Sequence, residues 1–125
     1  MKYVDFANDY NKKYPSEKSP IRTLSIQIDE DQREELFAQL RKFSEKHHLE
    51  FYLSFYKGKE IFFVAMYGER LHISMQPIPG VSKEIYIGFY EEDPTNPPSN
   101  ETVDKLFNEL KIFISEIPNL IIIEE

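Results

Sequence analysis

Apolar and polar residues alternate most clearly between positions 51 and 90, where the pattern predicts four consecutive short strands. Successive side chains of a strand point to opposite faces of its sheet, so apolar residues at every second position mark a half-buried strand. The strands are predicted over residues 51–56, 61–67, 71–76 and 84–90. Gly58 and Gly68 provide two connecting turns, and Pro77, Pro79 and Gly80 interrupt the pattern before the last strand. The segment therefore predicts an antiparallel meander.

Spacings of three and four residues between apolar positions predict an amphipathic helix on each side of this meander. The first helix is expected to begin at Asp29, as N-cap with Gln32 in a variant of the capping box, and to end near His47. The second is expected to be capped by Ser99 or Asn100. The apolar stripes comprise Leu36, Phe37, Leu40 and Phe43 in the first helix and Val103, Leu106, Phe107, Leu110, Phe113, Ile114 and Ile117 in the second.

Two further strands are predicted at residues 21–28 and 120–123, the second at a sheet edge. The resulting order, (α)-β-α-β-β-β-β-α-(β), predicts an α+β two-layer sandwich with a mostly antiparallel sheet, a ferredoxin-like variant. Residues 21–125 are expected to form a single domain, with both helices on one face of the sheet. The side chains expected under the helices are Leu24, Ile26, Leu53, Phe55, Ile73, Ile85 and Ile87.

Residues 1–20 are interpreted as an N-terminal arm or short helix, because Tyr3, Phe6, Tyr10 and Tyr14 recur at helical spacing before Pro15. The helix would pack its aromatic rings on the domain. The alternative is an arm that binds a partner or exchanges between subunits.

The sheet face without helices is the candidate functional surface, because alternation places almost no charge on it. Exposed antiparallel faces normally carry charged residues, whereas charge is depleted and tyrosine enriched at the centre of interfaces. Alternation assigns to this face Thr23, Ser25, Gln27, Tyr52, Ser54, Tyr56, Phe62, Val64, Met66, His72, Ser74, Gln76, Tyr86 and Tyr90. The predicted binding residues are Tyr52, Tyr56, Met66, His72, Ser74, Gln76, Tyr86 and Tyr90. In the alternative interpretation, residues 1–20 fold back and make this face a second small core.

Net charge and cysteine content narrow the classes of partner and chemistry. Fifteen basic and 22 acidic residues give a formal charge of -7, which argues against a nucleic-acid or anionic-membrane partner and favours a basic protein or self-association. The absence of cysteine excludes disulfides and thiolate chemistry. No run approaches the roughly 20 apolar residues that a membrane helix needs. A cytoplasmic location follows if Met1 is native, and an exported one remains open if Met1 replaces a removed leader.

Candidate catalytic and metal-binding residues are few, so no catalytic residue, metal or cofactor is assigned. His72 is the histidine within the predicted sheet, and no carboxylate or serine motif accompanies it. His47 and His48 are adjacent, so on a helix their side chains would point about 100° apart. The acidic run 91–93 does not have the alternating oxygen ligands of a calcium loop.

Several segments resemble a family of small bacterial α+β proteins that has no assigned activity. They are residues 25–28 (SIQI), 32–37 (QREELF), 40–43 (LRKF), 89–94 (FYEEDP) and 113–118 (FISEIP). The resemblance covers about residues 22–123 and concerns helix caps and core positions. It implies the fold, and no functional residue follows from it.

These observations predict a non-enzymatic binding protein that acts through its uncharged, tyrosine-rich sheet face or through an edge strand. An acidic inhibitor or immunity-type protein with a basic target is one form, and a homodimer that encloses a small ligand is another. The competing hypothesis is a small enzyme that uses His72 with Tyr52, Tyr86 or Ser74 and requires a pocket around His72. A chaperone-like binder of extended peptides would instead show apolar grooves.

Overall fold

The computed structural model describes residues 20–56, 61–78 and 83–124, and in these ranges it confirms the predicted α+β sandwich. The elements are β1 (Arg22–Gln27), α1 (Arg33–Lys46), β2 (Glu50–Tyr56), β3 (Ile61–Gly68), β4 (Leu71–Pro77), β5 (Glu84–Glu91), α2 (Asn100–Ser115) and β6 (Ile121–Glu124). The predicted N-terminal helix with Tyr3, Phe6, Tyr10 and Tyr14 lies outside the described residues, as does the turn at Gly58.

The strands form one sheet in the order β2-β3-β4-β5-β1-β6, with every described neighbour antiparallel. The meander β2–β5 forms one side of the sheet, and β1 and β6 complete the other. The strands joined by α1, β1 and β2, have three strands between them, whereas a split β-α-β unit of the ferredoxin-like kind has one. The ferredoxin-like comparison therefore extends to the layers and not to the strand order.

Both helices cover the same face of the sheet and run antiparallel to each other. The Gln32 amide donates to the Pro118 carbonyl at 2.6 Å, which joins the start of α1 to the end of α2. At the opposite end, the Lys46 ammonium pairs with Glu109. The predicted apolar stripes of the two helices face the sheet. All of their residues are buried except Phe113, which is half-buried. Burial of this apolar surface is the main contribution to the stability of the fold.

The start of α1 differs from the predicted capping box. A short 3-10 turn, Glu30–Gln32, precedes the helix, and the Asp29 side chain makes no cap hydrogen bond. The Asp29 carboxylate instead pairs with the Lys83 ammonium at 3.0 Å, and the Gln32 side-chain amide donates to the Pro118 carbonyl. Both side chains that a capping box requires are thus used in tertiary contacts. The Ser99 cap of α2 is confirmed, because its hydroxyl accepts a hydrogen bond from the Thr102 amide at 3.1 Å.

A two-residue turn joins β3 to β4 and sets the register between them. Glu69 and Arg70 have φ values of 52° and 64°, the left-handed pair that a tight hairpin of this twist requires. The turn leaves Gly68 opposite Leu71, so Met66 lies opposite Ile73. Gly68 itself is needed for space, since a Cβ there would lie 2.5 Å from Cδ2 of Leu49.

No helix in the described ranges is both long and apolar enough to cross a membrane.

Candidate functional surface

A row of aromatic rings crosses the second face of the sheet, the face turned away from α1 and α2. Tyr67 of β3 lies opposite His72 of β4, and His72 lies opposite Tyr90 of β5. The His72 imidazole stacks on the Tyr67 ring with centroids 4.7 Å apart and planes 12° from parallel. On its other side, the Tyr90 ring lies 5.8 Å away at 29°. Residues directly opposite on antiparallel strands share a face, so the register itself builds this stack.

Tyr52 of β2 extends the row to the edge of the sheet. Its ring meets the Tyr67 ring edge-on at 5.7 Å, and its hydroxyl donates to the Glu50 carboxylate at 2.7 Å. Tyr52 is 47% exposed, so this end of the row is accessible to solvent. In strands β2–β5 the charged residues of this face, Glu50 and Glu84, stand at strand ends. The uncharged character predicted for the middle of the face is therefore present.

Tyr90 and Tyr86 form the other end of the row, on β5. The Tyr90 ring lies over Gly88, where a Cβ would come within 2.6 Å of its Cε2 atom, so the position of the ring depends on the glycine. Burial, reinforced by the hydrogen-bonded phenol of Tyr90, raises the pKa of Tyr86 to about 12. Tyr86 therefore keeps its proton at any physiological pH.

The centre of the face is buried, although neither helix covers it. His72 has no exposed surface and Ser74 is 6% exposed, and Ala65, opposite Ser74, is also buried. The buried centre differs from a solvent-exposed tyrosine surface. It also affects the alternative hypothesis of an enzyme that uses His72. A substrate would reach the His72 imidazole only if the atoms that bury it moved.

The assignment of Met66 to this face is wrong. Met66 is fully buried on the helix side, opposite Phe51 and Ile73, and Phe62 and Val64 face the same way. Strand β3 is apolar on both faces, so alternation alone did not determine its phase. The signal was present in the turn, because a two-residue connection places Met66 on the face of Ile73.

The corrected phase brings Phe63, Ala65 and Tyr67 to the second face, and Tyr67 is the central ring that alternation missed. Gln76 is half-buried opposite Tyr86, as predicted for that face. The side chain of Tyr56 lies outside the described residues.

Strand β6 carries two exposed aliphatic side chains. Ile121 and Ile123 are 55% and 44% exposed. Ile121 lies opposite Gln27 on the second face and Ile122 lies opposite the core residue Ile26, after which the register shifts by one residue at Ile123. Among the described strands, β6 pairs with β1 along one side only. Within the described ranges it therefore combines a strand edge that pairs with no other strand and two exposed isoleucines.

A groove lies beside the other half of β1, where β6 does not reach. It has a volume of about 420 Å³ and is lined by Ile21, Arg22, Thr23, Asp104, Phe107, Asn108 and Lys111. The Arg22 guanidinium pairs with Asp104 across it, and the guanidinium carbon lies 5.7 Å from the centre of the Phe107 ring. The polar groups of Arg22 and Asp104 are thus engaged with each other.

The adjacent histidines after α1 occupy different environments. The His47 ring packs on Phe43 with centroids 4.9 Å apart, and its Nε2 atom lies 3.9 Å from Oε1 of Glu109. His48 is exposed and has a left-handed φ of 57°. Among the described residues, no three His, Cys, Asp or Glu side chains converge as metal ligands would.

Burial lowers the pKa of His47 below its usual 6.5, and the Glu109 carboxylate opposes this shift only in part. The unfolded chain then binds this proton more strongly than the folded chain, so folding is favoured above pH 6.5 and loses stability as the pH falls below it. We expect the free energy of unfolding in urea to fall between about pH 7.5 and 5.5, and to fall less in the variant His47→Gln. The exposed neighbour provides the control, since His48→Asn should keep the wild-type dependence. An unchanged dependence in His47→Gln would contradict the assignment.

In comparisons with known proteins, no family model matches the chain and no curated protein is significantly similar to it. The resemblance to a family of small bacterial proteins thus stays a prediction. The candidate surface consists of an aromatic row whose centre is buried and, at one edge of the sheet, the exposed isoleucines of β6.

Proposed function

We propose that the protein binds another protein chain through β6, by addition of a strand to the edge of the sheet. The observation that carries the proposal is the exposure of both Ile121 and Ile123 on a strand at the edge of the described sheet. The sequence predicts two candidate binding surfaces, the tyrosine-rich face and an edge strand. Burial of His72 and Ser74 at the centre of the face favours the edge.

An edge strand offers unpaired backbone N–H and C=O groups, which a second extended chain can satisfy. Proteins usually protect such edges with lysine, proline or an inward-pointing charge. The residues Ile121, Ile122 and Ile123 provide none of these, and β6 carries its charge only at Glu124. Backbone hydrogen bonds would contribute affinity, and the isoleucines would contribute apolar contact.

The aromatic row would support this edge rather than form the contact. Stacked and edge-on ring pairs stabilise their strands by about 0.5–1.5 kcal/mol each beyond the area they bury. Tyr52 is the accessible ring, at the opposite edge of the sheet. An inhibitor of a basic target is one form of this function. It relies on the net charge of -7, which would speed the encounter with such a target.

Site-specific photo-cross-linking in cells that produce the protein tests the proposal. A photoreactive amino acid at position 123 is expected to capture a protein, giving a band heavier than the 14.9 kDa chain. The matched control is position 112, because Ile112 is 60% exposed but lies on α2, away from the edge. No adduct at position 123, or the same adducts at both positions, would overturn the proposal.

A further inference from the structure

We infer that the second face of the sheet is a packing surface for residues 1–19 of the same chain, which cover its middle strands. The surface is a trough with the small residues Ala65, Ser74, Gly88 and Thr23 as its floor. The inference concerns this face alone and does not depend on strand addition at β6.

Strands β3 and β4 are each buried on both faces, over residues 62–66 and 71–75. A sheet that is covered on one side only shows buried and accessible side chains in alternation. On the second face of these strands Phe63, His72 and Ser74 are only 8%, 0% and 6% exposed. Neighbouring strands do not cover a phenylalanine ring from above, so a further layer of protein lies over β3 and β4.

The covering layer lies over the middle of the sheet, because burial decreases toward the outer strands. Tyr52 of β2 is 47% exposed, and Thr23, Ser25 and Gln27 of β1 are half-buried. The strands of the described ranges all belong to one sheet, and both helices there pack on its other face. The layer therefore comes from a part of the chain outside residues 20–56, 61–78 and 83–124.

Chain length selects residues 1–19 as the covering segment. The other stretches outside the described ranges are 57–60, 79–82 and 125. Each four-residue stretch joins two strands at the rim of the sheet, so it is too short to reach across the middle strands and return. Residue 125 follows β6 at the edge. Residues 1–19 are long enough, and they join the described chain only at Pro20.

The register of the strands builds the trough. Ala65 lies opposite Ser74, Ser74 opposite Gly88, and Gly88 opposite Thr23, so the floor crosses four strands from β3 to β1. Small residues in a strand let another segment approach the sheet closely. Over Gly88 the Tyr90 ring fills part of this space, which leaves Ala65 and Ser74 as the deepest part. The larger side chains beside the floor are Tyr67, His72 and Tyr90 along one side and Phe63, Gln76 and Tyr86 along the other.

Residues 1–19 join the sheet at the end of this trough, because Thr23 is the second residue of β1. The distance from β1 to β3 is three strand spacings, or about 14 Å. A helix over residues 3–14, as the sequence predicts, would be about 18 Å long and would span it. The aromatic residues that helical spacing places on one side of this segment suit an uncharged trough bordered by rings, and they are Tyr3, Phe6, Tyr10 and Tyr14.

The accessibility of a thiol on the trough floor tests the inference, since the chain has no native cysteine. Ser74→Cys introduces a thiol of nearly the same size, and its rate of alkylation by a maleimide is measured in the full chain. Replacing Phe6 and Tyr10 with serine should raise this rate at least about tenfold, because a buried thiol reacts only when its cover opens. Replacing Asn8 and Lys12 with serine, on the opposite side of the predicted helix, is the matched control and should leave the rate unchanged.

A second reporter separates uncovering of this face from general loosening of the fold. Ser44 of α1 is 3% exposed on the helix side of the sheet, so Ser44→Cys should keep its slow rate when Phe6 and Tyr10 are replaced. An unchanged rate at position 74, an equal rise at positions 74 and 44, or the same rise with the control pair would overturn the inference.

Dilution distinguishes residues 1–19 of the same chain from those of a second copy. Cover within one chain does not depend on concentration, so the Ser74→Cys protein should react at the same rate at about 100 µM and about 1 µM. A rate that rises on dilution would show that the segment exchanges between copies, and it would overturn cover by the same chain.

Discussion

Replacing Phe89 with alanine is expected to lower the free energy of unfolding by about 3–5 kcal/mol, the largest effect of any single change considered. Phe89 is fully buried in β5, and its ring meets the Phe107 ring of α2 edge-on at 5.4 Å. The substitution leaves a cavity between sheet and helix and also removes the ring pair. Urea unfolding at neutral pH, followed by circular dichroism, measures the change.

Phe113→Ala is the matched control, because it removes the same side chain from a half-buried position on α2. It would lose its edge-on contact with Phe43 but leave a cavity that water can enter. Its cost should therefore be clearly smaller. If Phe89→Ala costs no more than Phe113→Ala, the ring of Phe89 is not packed in the way described.

Gly88→Ala is expected to cost about 1–3 kcal/mol, because the new methyl group would collide with the Tyr90 ring. The Cβ atom would lie 2.6 Å from Cε2 of Tyr90 and 2.7 Å from its hydroxyl oxygen. The ring would have to leave its place over β5, and its stack on His72 would be lost. The pKa of Tyr86 should fall as well, since the bound Tyr90 phenol helps to raise it. Urea unfolding and ultraviolet titration of the tyrosines measure the two effects.

A double-mutant cycle separates this collision from a general weakening of β5. If the Tyr90 ring is the obstacle, Gly88→Ala should cost less in a Tyr90→Ser background than in the wild-type chain. Equal costs in the two backgrounds would show that the methyl group meets something else.

Local patterns in the sequence predict most of the fold, because each strand and helix carries its own periodicity. The ends of β2–β5 lie within one residue of the positions that alternation assigns. The phase of β3 was missed because Phe62, Val64 and Met66 are as apolar as Phe63 and Ala65, so neither face stood out. The predicted Asp29 cap does not form, and the Asp29 carboxylate pairs instead with Lys83, which is distant in sequence.

The candidate site was predictable only in part, for a related reason. Tyr52, His72, Tyr86 and Tyr90 could be placed on one face from alternation. The position of His72 between Tyr67 and Tyr90 depends on the register of β3, β4 and β5. The sequence of a single strand does not specify that register. Burial of the centre of the face, and exposure of Ile121 and Ile123 at its edge, are properties of the assembled sheet. A run of three isoleucines reads the same in a core strand and in an edge strand.

The position of β1 in the sheet has a consequence for synthesis on the ribosome. Translation makes β1 before β2, β3 and β4, yet its two neighbours in the sheet, β5 and β6, are made after them. Arg22 pairs with Phe89, so closing this contact means ordering a long loop, which slows folding. Until β5 has emerged, Leu24 and Ile26 have no strand beside them, and their segment is where a chaperone would find exposed apolar chain on the nascent protein.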